Sequence, residues 1–162
     1  MKTSFFKSCT AAALLFLAFS ACSQQETTLG NLHVIPLPQE IMEQATANPF
    51  VIRTSTTICY PEGNEKMKRN AEFLASYIKE VAGTQVKVSS ETAASNCIML
   101  ETDTTLTNKE GYEMDINADR VIIKGGSEAA VFYGIQTLHK ALPITNGQTL
   151  ASLPAGTIND WP

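Results

Sequence analysis

Between Glu65 and Ala82 the apolar residues Met67, Ala71, Leu74, Ile78 and Val81 recur at spacings of 4, 3, 4 and 3. That rhythm predicts a five-turn helix with one apolar stripe, and Gly83 supplies a C-terminal stop. A second stripe of Val131, Ile135, Leu138 and Leu142, spaced 4, 3 and 4, predicts another helix, capped by Ser127 and ended by Pro143. Gly134 in its middle costs about 1 kcal/mol relative to Ala. A helix tolerates that where its backbone packs closely on a neighbour, here a sheet. A helix with a single stripe has a single face to bury, so both helices need the same kind of partner, one face of a sheet.

The strands that supply this sheet read out at period two. Phe50 to Tyr60 is rich in β-branched and aromatic residues, with Phe50, Ile52, Ile58 and Tyr60 on one face. Val86 and Val88 mark a short strand, and Cys97 to Glu101 another. Tyr112, Met114 and Ile116 alternate with Glu113 and Asp115; Asn117-Ala118-Asp119 turns the chain, and Arg120 to Lys124 returns as the hairpin partner. The expected fold class is α+β: a mainly antiparallel sheet of four to five strands with two helices packed on one face. Its other face is partly apolar and free to meet something outside this set of elements.

The first residues read as an address. Lys2 and Lys7 precede a short uncharged run from Ala11 to Phe19, well under the ~20 residues that span a bilayer. Phe19-Ser20-Ala21-Cys22 follows, with small residues just before the cysteine, the pattern of a bacterial lipoprotein signal despite Phe19 in place of the usual Leu. Residues 1–21 are thus expected to be a signal peptide, and 22–33 a lipidated Cys22 followed by a flexible polar tether. The alternative is an ordinary secretory signal cut near Cys22; both export the protein. Taking Lys2 and Lys7 from the 12 basic residues leaves 10 against 16 acidic ones, a net charge of −6. Such a body is repelled by anionic head groups, so a membrane contact would run through the lipid anchor alone. With no basic block or aromatic-interleaved Arg/Lys stripe, no nucleic-acid partner is expected.

Candidate chemistry is sparse. Of four Cys, Cys9 leaves with the signal and Cys22 takes the lipid; Cys59 and Cys97 sit in strand-like runs, as buried small hydrophobes or as a disulfide. Glu113 and Asp115 lie two apart on one strand face, roughly 7 Å between Cβ atoms, and read best as the wet side of a strand rather than as an acid–base pair. Gly125-Gly126-Ser127-Glu128 lacks the lysine of a phosphate loop and reads as a strand-to-helix turn. His33 and His139 are isolated, and no Cys or His spacing fits a metal, so neither metal nor cofactor is expected. These residues nominate no catalytic residue.

The C-terminal half carries a resemblance. Gly111-Tyr112-Glu113-Met114-Asp115-Ile116, Val121 to Gly125, and Ala130-Val131-Phe132-Tyr133-Gly134-Ile135-Gln136-Thr137-Leu138 together resemble the N-terminal, non-catalytic domain of family 20 glycoside hydrolases, the β-N-acetylhexosaminidases. Val34-Ile35-Pro36-Leu37-Pro38 and Ile158-Asn159-Asp160-Trp161-Pro162 resemble the entry to and exit from that domain. The resemblance implies a sheet-and-two-helix domain over 34–157 and, over 158–162, the start of a linker into a (β/α)8 barrel. In that family the barrel's adjacent Asp-Glu pair acts on the substrate: Glu protonates the leaving oxygen and Asp orients the 2-acetamido group, whose carbonyl attacks the anomeric carbon. No adjacent Asp-Glu pair occurs in the 162 residues, so no catalytic residue carries over.

Two readings follow: an accessory domain whose partner is a catalytic barrel, without turnover alone, or a self-sufficient lipid-anchored module that binds glycans or a protein. Phe132, Tyr133 and Trp161 are the expected contact residues for a barrel, the competing expectation being that Phe132 and Tyr133 fill the domain's own core. For the anchor, mass spectrometry of the chain recovered from membranes is expected to show a diacylated or triacylated Cys22 as first residue. A soluble product beginning elsewhere contradicts it.

Overall fold

The computed structural model describes residues 37–145 and 150–162; the signal segment, Cys22, the tether and Val34 to Pro36 lie outside them. The chain runs β1 (Glu40–Glu43), β2 (Phe50–Val51), β3 (Thr57–Cys59), α1 (Glu65–Ala82), β4 (Lys87–Ser89), β5 (Cys97–Thr102), β6 (Tyr112–Ile116), β7 (Arg120–Gly125), α2 (Glu128–Ala141), β8 (Ser152–Leu153) and β9 (Gly156–Asp160). Seven strands form one sheet in the order β1-β9-β6-β7-β5-β3-β4, and β2 pairs with β8 in a separate two-stranded ribbon.

Helix α1 has the bounds its apolar rhythm predicts. Asn64 caps it, its side-chain oxygen accepting from the backbone N–H of Lys66 at 3.1 Å and Met67 at 3.0 Å. Gly83, at φ +66°, ends it in the left-handed conformation that costs glycine nothing. Met67, Ala71, Leu74 and Ile78 are fully buried along one side. Helix α2 starts where Ser127 Oγ accepts from the Ala130 N–H at 3.2 Å, and the same hydroxyl donates to the Lys109 carbonyl at 2.7 Å. The cap thus ties the helix start to the loop before β6. The helices are also joined to each other: buried Asn70 donates to the Glu128 carbonyl at 2.8 Å.

The sheet is mixed and has seven strands, which corrects the expectation of a mainly antiparallel sheet of four or five. β1, β9, β6 and β7 pair antiparallel, whereas β7, β5, β3 and β4 pair parallel. The β3–β4 pair follows from α1: a strand, a helix lying on the sheet and a second strand bring the chain back to its starting end, so β4 runs alongside β3 in the same direction. The hairpin β6–β7 does form as expected, with Met114 opposite Ile123 and Ile116 opposite Val121. The side chain of Asn117 holds its turn by accepting from the N–H groups of Asp119 and Arg120, each at 3.1 Å.

Three further corrections concern strands. The run Phe50 to Tyr60 is broken into β2 and β3 by a turn at Arg53–Thr56, where the Thr56 hydroxyl accepts from the Arg53 N–H at 2.8 Å and donates to Asn96 at 2.6 Å. Glu40–Glu43 pairs with Gly156–Asp160 at one edge of the sheet. Ile158, Asn159 and Asp160, expected as the opening of a linker, are therefore strand residues, and Ile158 is fully buried between Ile41 and Met114.

Both helices contact the sheet, with the apolar face made of Ile58, Ile98, Leu100, Tyr112, Met114, Val121, Ile123 and Ile158 completing one core with them. The close helix–sheet approach expected at Gly134 is present. A Cβ built there would lie 2.6 Å from Ile123 Cγ2 and 3.1 Å from Tyr112 Cδ2. Replacing Gly134 with Ala gains about 1 kcal/mol of helix propensity but forces overpacking against two buried side chains, typically costing about 1–3 kcal/mol. Gly134→Ala is therefore expected to lower stability by about 1 kcal/mol, read as a lower urea midpoint at unchanged slope. A variant as stable as the parent would show that Ile123 yields.

Candidate functional site

The residues nominated for chemistry do not converge. Glu113 and Asp115 lie on β6 with both side chains exposed on the face away from the helices. Glu113 stands in register with Lys124 and Asn159, and Asp115 with Ile122 and Thr157. This is a solvated strand face, as read from the alternation. Cys59 and Cys97 are free and buried, on adjacent parallel strands and on the same face, Cys97 opposite Thr57 and Cys59 opposite Met99. Burial, then the neighbouring Cys59, pushes the Cys97 thiol above its ordinary range, so it holds its proton and is no nucleophile. Among the described residues no group of three His, Cys, Asp or Glu is placed to hold a metal, and no helix is long and apolar enough to cross a membrane.

What the fold does build is an aromatic surface across the two helices. Phe73 packs edge-on against Phe132 with ring centroids 5.9 Å apart, and lies 6.5 Å from Tyr77 in a stacked arrangement. Tyr77 stacks in turn on His139 at 4.2 Å and accepts at its hydroxyl from Gln136 Nε2 at 3.2 Å. Desolvation, with Lys140 adding to it and Glu80 opposing, lowers the His139 pKa and favours the neutral ring. Phe73 remains 42% exposed and Tyr133 44%. Phe132 and Tyr133 are thus outside the core, which overturns the reading that they fill it. Phe73 and Tyr77 were not singled out by the stripe of α1; their i, i+4 spacing beside it was the available signal.

Two cavities flank the end of β9. One, of about 520 Å³, lies between Tyr133 and Trp161 and is lined also by Leu37, Gln136, Lys140 and Pro162. The other, of about 290 Å³, opens on the far side among Trp161, Glu113, Asn159 and Asp160. Beneath the first, the Tyr112 hydroxyl and Thr137 Oγ1 share a buried hydrogen bond of 2.6 Å that ties β6 to α2.

This arrangement of sheet, paired helices and exit strand has a match. The model of glycosyl hydrolase family 20, domain 2, aligns with residues 31–161. The chain belongs to glycosyl hydrolase family 20. It is 32% identical over 135 residues to a β-hexosaminidase of Porphyromonas gingivalis, a match that covers 78% of this chain and 17% of that relative's length. Among solved structures, the N-acetyl-β-hexosaminidase of Streptomyces plicatus superposes with a TM-score of 0.67 at 25% identity, covering 78% of this chain and 26% of that one. The β-N-acetylhexosaminidase of Bacteroides fragilis shares the fold, with a TM-score of 0.60 at 21% identity over 80% of this chain and 24% of its own. The family 20 domain described here is thus domain 2, and it accounts for a minor share of these enzymes.

The Tyr112–Thr137 pair generates a test. Burial raises the Tyr112 pKa from 10 to about 12, Thr137 opposing and Asp160 adding to it. Below pH 10 both folded and unfolded states keep the phenolic proton and stability is unaffected. As pH rises from 10 towards 12 the unfolded chain loses it first, so stability falls, by about 2–3 kcal/mol in total. Tyr112→Phe is expected to flatten that alkaline loss in urea titrations while costing about 1 kcal/mol at neutral pH for the orphaned Thr137 hydroxyl. An unchanged alkaline slope would assign the loss elsewhere.

Proposed function

We propose that this chain is an exported, lipid-anchored accessory domain of a β-N-acetylhexosaminidase. In this reading it supports a catalytic (β/α)8 barrel and has no turnover by itself. The observation that carries the reading is the Phe73–Phe132 ring contact, which bridges both helices outside the core, with Tyr77 stacked on Phe73 and Tyr133, the residue after Phe132, 44% exposed. Exposed aromatic rings on both helices mark a surface built to be covered. The relatives' greater length makes the barrel its natural cover, because the domain occupies 17–26% of the enzymes it matches. The role is mechanical. Two helices braced from behind by a seven-stranded sheet offer a rigid apolar platform, and a rigid platform orders less on docking than loops do.

The reading expects the full chain to hydrolyse an aryl N-acetyl-β-glucosaminide no faster than a buffer blank. A family 20 barrel supplied in trans at 100-fold excess over its Kd is expected to stabilise the domain by about 2.7 kcal/mol, which raises Tm by roughly 5–10 °C. Phe73→Ala combined with Tyr133→Ala, two changes at half-exposed positions, should abolish that shift with little effect on the domain's own Tm. Turnover by the chain alone, or a monomer whose Tm ignores the barrel, overturns the reading.

A further inference from the structure

The face of the sheet away from the helices is wet along β6 but closed over β3 and β5. Ile58 and Ile98 join the core with the helices, so the alternation of each strand sends Cys59, Cys97 and Met99 to the opposite face. The segment between β4 and β5 covers them there. Cys97 Sγ donates to the Ala93 carbonyl at 3.6 Å, and the Arg120 guanidinium donates to the Ala94 carbonyl at 3.4 Å. The ladder sets three sulfur side chains together under this cover. Cys59 of β3 stands in register with Met99 of β5, and Cys97 comes two residues before Met99 on the same strand. The two thiols are near enough to hydrogen-bond with each other. Cys59 and Met99 together line a cavity of about 280 Å³ that reaches solvent past exposed Glu62 and Thr92.

A disulfide does not suit this pair. Positions one strand across and two residues along have Cα atoms roughly 8 Å apart, beyond the ~7 Å that a disulfide spans without moving backbone. A metal ion asks for less. Bonds of about 2.3 Å to each sulfur let it hold two thiolates as far as ~4.6 Å apart, where an S–S bond needs ~2.05 Å. The donors select the ion, because thiolate and thioether sulfur favour soft Cu(I), which is content with two or three ligands. Glu62 and Glu101 also line the cavity. Among the described residues, however, no three His, Cys, Asp or Glu side chains are placed to hold a metal, so the four-ligand shell of Zn(II) is not furnished. Burial and the neighbouring Cys59 keep Cys97 protonated; against them, Arg120 stands in register with it on β7 and its charge favours the thiolate. A bound cation does the rest, since it deprotonates a coordinating thiol outright.

We propose that Cys59, Cys97 and Met99 form a binding site for one Cu(I) ion, with the two thiolates as its principal ligands and the Met99 thioether as a third. On binding, two Cu–S bonds form to the cysteines, their two S–H protons pass to solvent, and copper stays monovalent. The ion clamps β3 to β5. The site lies on the opposite face of the sheet from the helix platform and needs no barrel, so it stands or falls apart from the accessory reading.

The test uses full-length chain carrying Cys9→Ser and Cys22→Ser, which leaves Cys59 and Cys97 as its only cysteines. Without oxygen, and with a reductant that contains no thiol, the chain is titrated into the coloured Cu(I)–bicinchoninate complex, which bleaches as copper transfers. One Cu(I) per chain is expected, together with a raised Tm, because an ion held by the folded state stabilises it. Zn(II) at the same concentration should leave Tm unchanged. Cys59→Ser and Cys97→Ser should each weaken binding about a hundredfold or more, and Met99→Leu about tenfold. Met42→Leu, at the far edge of the sheet, should have no effect. X-ray absorption at the copper edge, which needs no variant to fold, should show sulfur neighbours only. The proposal is overturned by oxygen or nitrogen neighbours, by less than one ion per chain, or by a Tm that copper does not raise. It is equally overturned by a Tm that Zn(II) raises as much, by a Cys59, Cys97 or Met99 variant that binds as tightly as the parent, or by a Cys59–Cys97 disulfide formed in the folded chain under diamide.

Discussion

The contact beneath Gly134 sets the geometry of the domain. Because that position has no side chain, α2 lies close enough to the sheet for Ile123 and the ring of Tyr112 to occupy the space a Cβ would need. The Tyr112 hydroxyl then reaches Thr137 one turn along the same helix. Helix, hairpin and hydrogen bond are thereby locked as one unit, with α2 touching β5, β6 and β7 together. Helix α1 is positioned against α2 in turn, through the Asn70–Glu128 bond and the Phe73–Phe132 edge contact. A bulkier residue at Gly134 would lift α2 and disturb every contact in that chain.

The sheet changes character at β7. On one side of it β5, β3 and β4 run parallel, β3 and β4 being joined through α1; on the other, the hairpin partner β6 and the returning β9 run antiparallel. Strands β1 and β9 close the sheet although some 119 residues separate their paired positions Glu40 and Asn159. Neither is strongly apolar; β9 is held between β6 and β1, and β1 has β9 as its partner in the sheet. The strand carrying Ile158 therefore belongs to the sheet and also delivers Trp161 to its rim.

Function follows from what the sheet leaves uncovered. One face carries the helices, whose outer aromatics form the platform that the accessory reading assigns to a barrel. The other presents Glu113, Asp115 and Lys124 to solvent in a ladder of wet side chains. At the edge where the faces meet, Trp161 lines both cavities, one beside Tyr133 and one beside Glu113.

Local rules made the helices and the hairpin legible. The 4-3-4-3 rhythm, Asn64 or Ser127 before it and Gly83 or Pro143 after it act within a few residues, so α1 and α2 are written in short stretches of chain. The alternation through Tyr112–Ile116 and the Asn117 turn are equally local, as are the motifs that resemble family 20. Strand order is not local. The parallel pairing of β3 with β5, the break at Thr56 bridged to Asn96, and the meeting of β1 with β9 depend on partners 40 to 119 residues away. The candidate sites divide in the same way. Phe132, Tyr133 and Trp161 stood out from their types and positions, but Phe73 joins them only because α1 lies beside α2, and Asn159 meets Glu113 only because β9 pairs with β6. Periodicity specifies which face of an element is apolar; only the packed structure decides which elements share that face, because burial is a property of pairs distant in sequence.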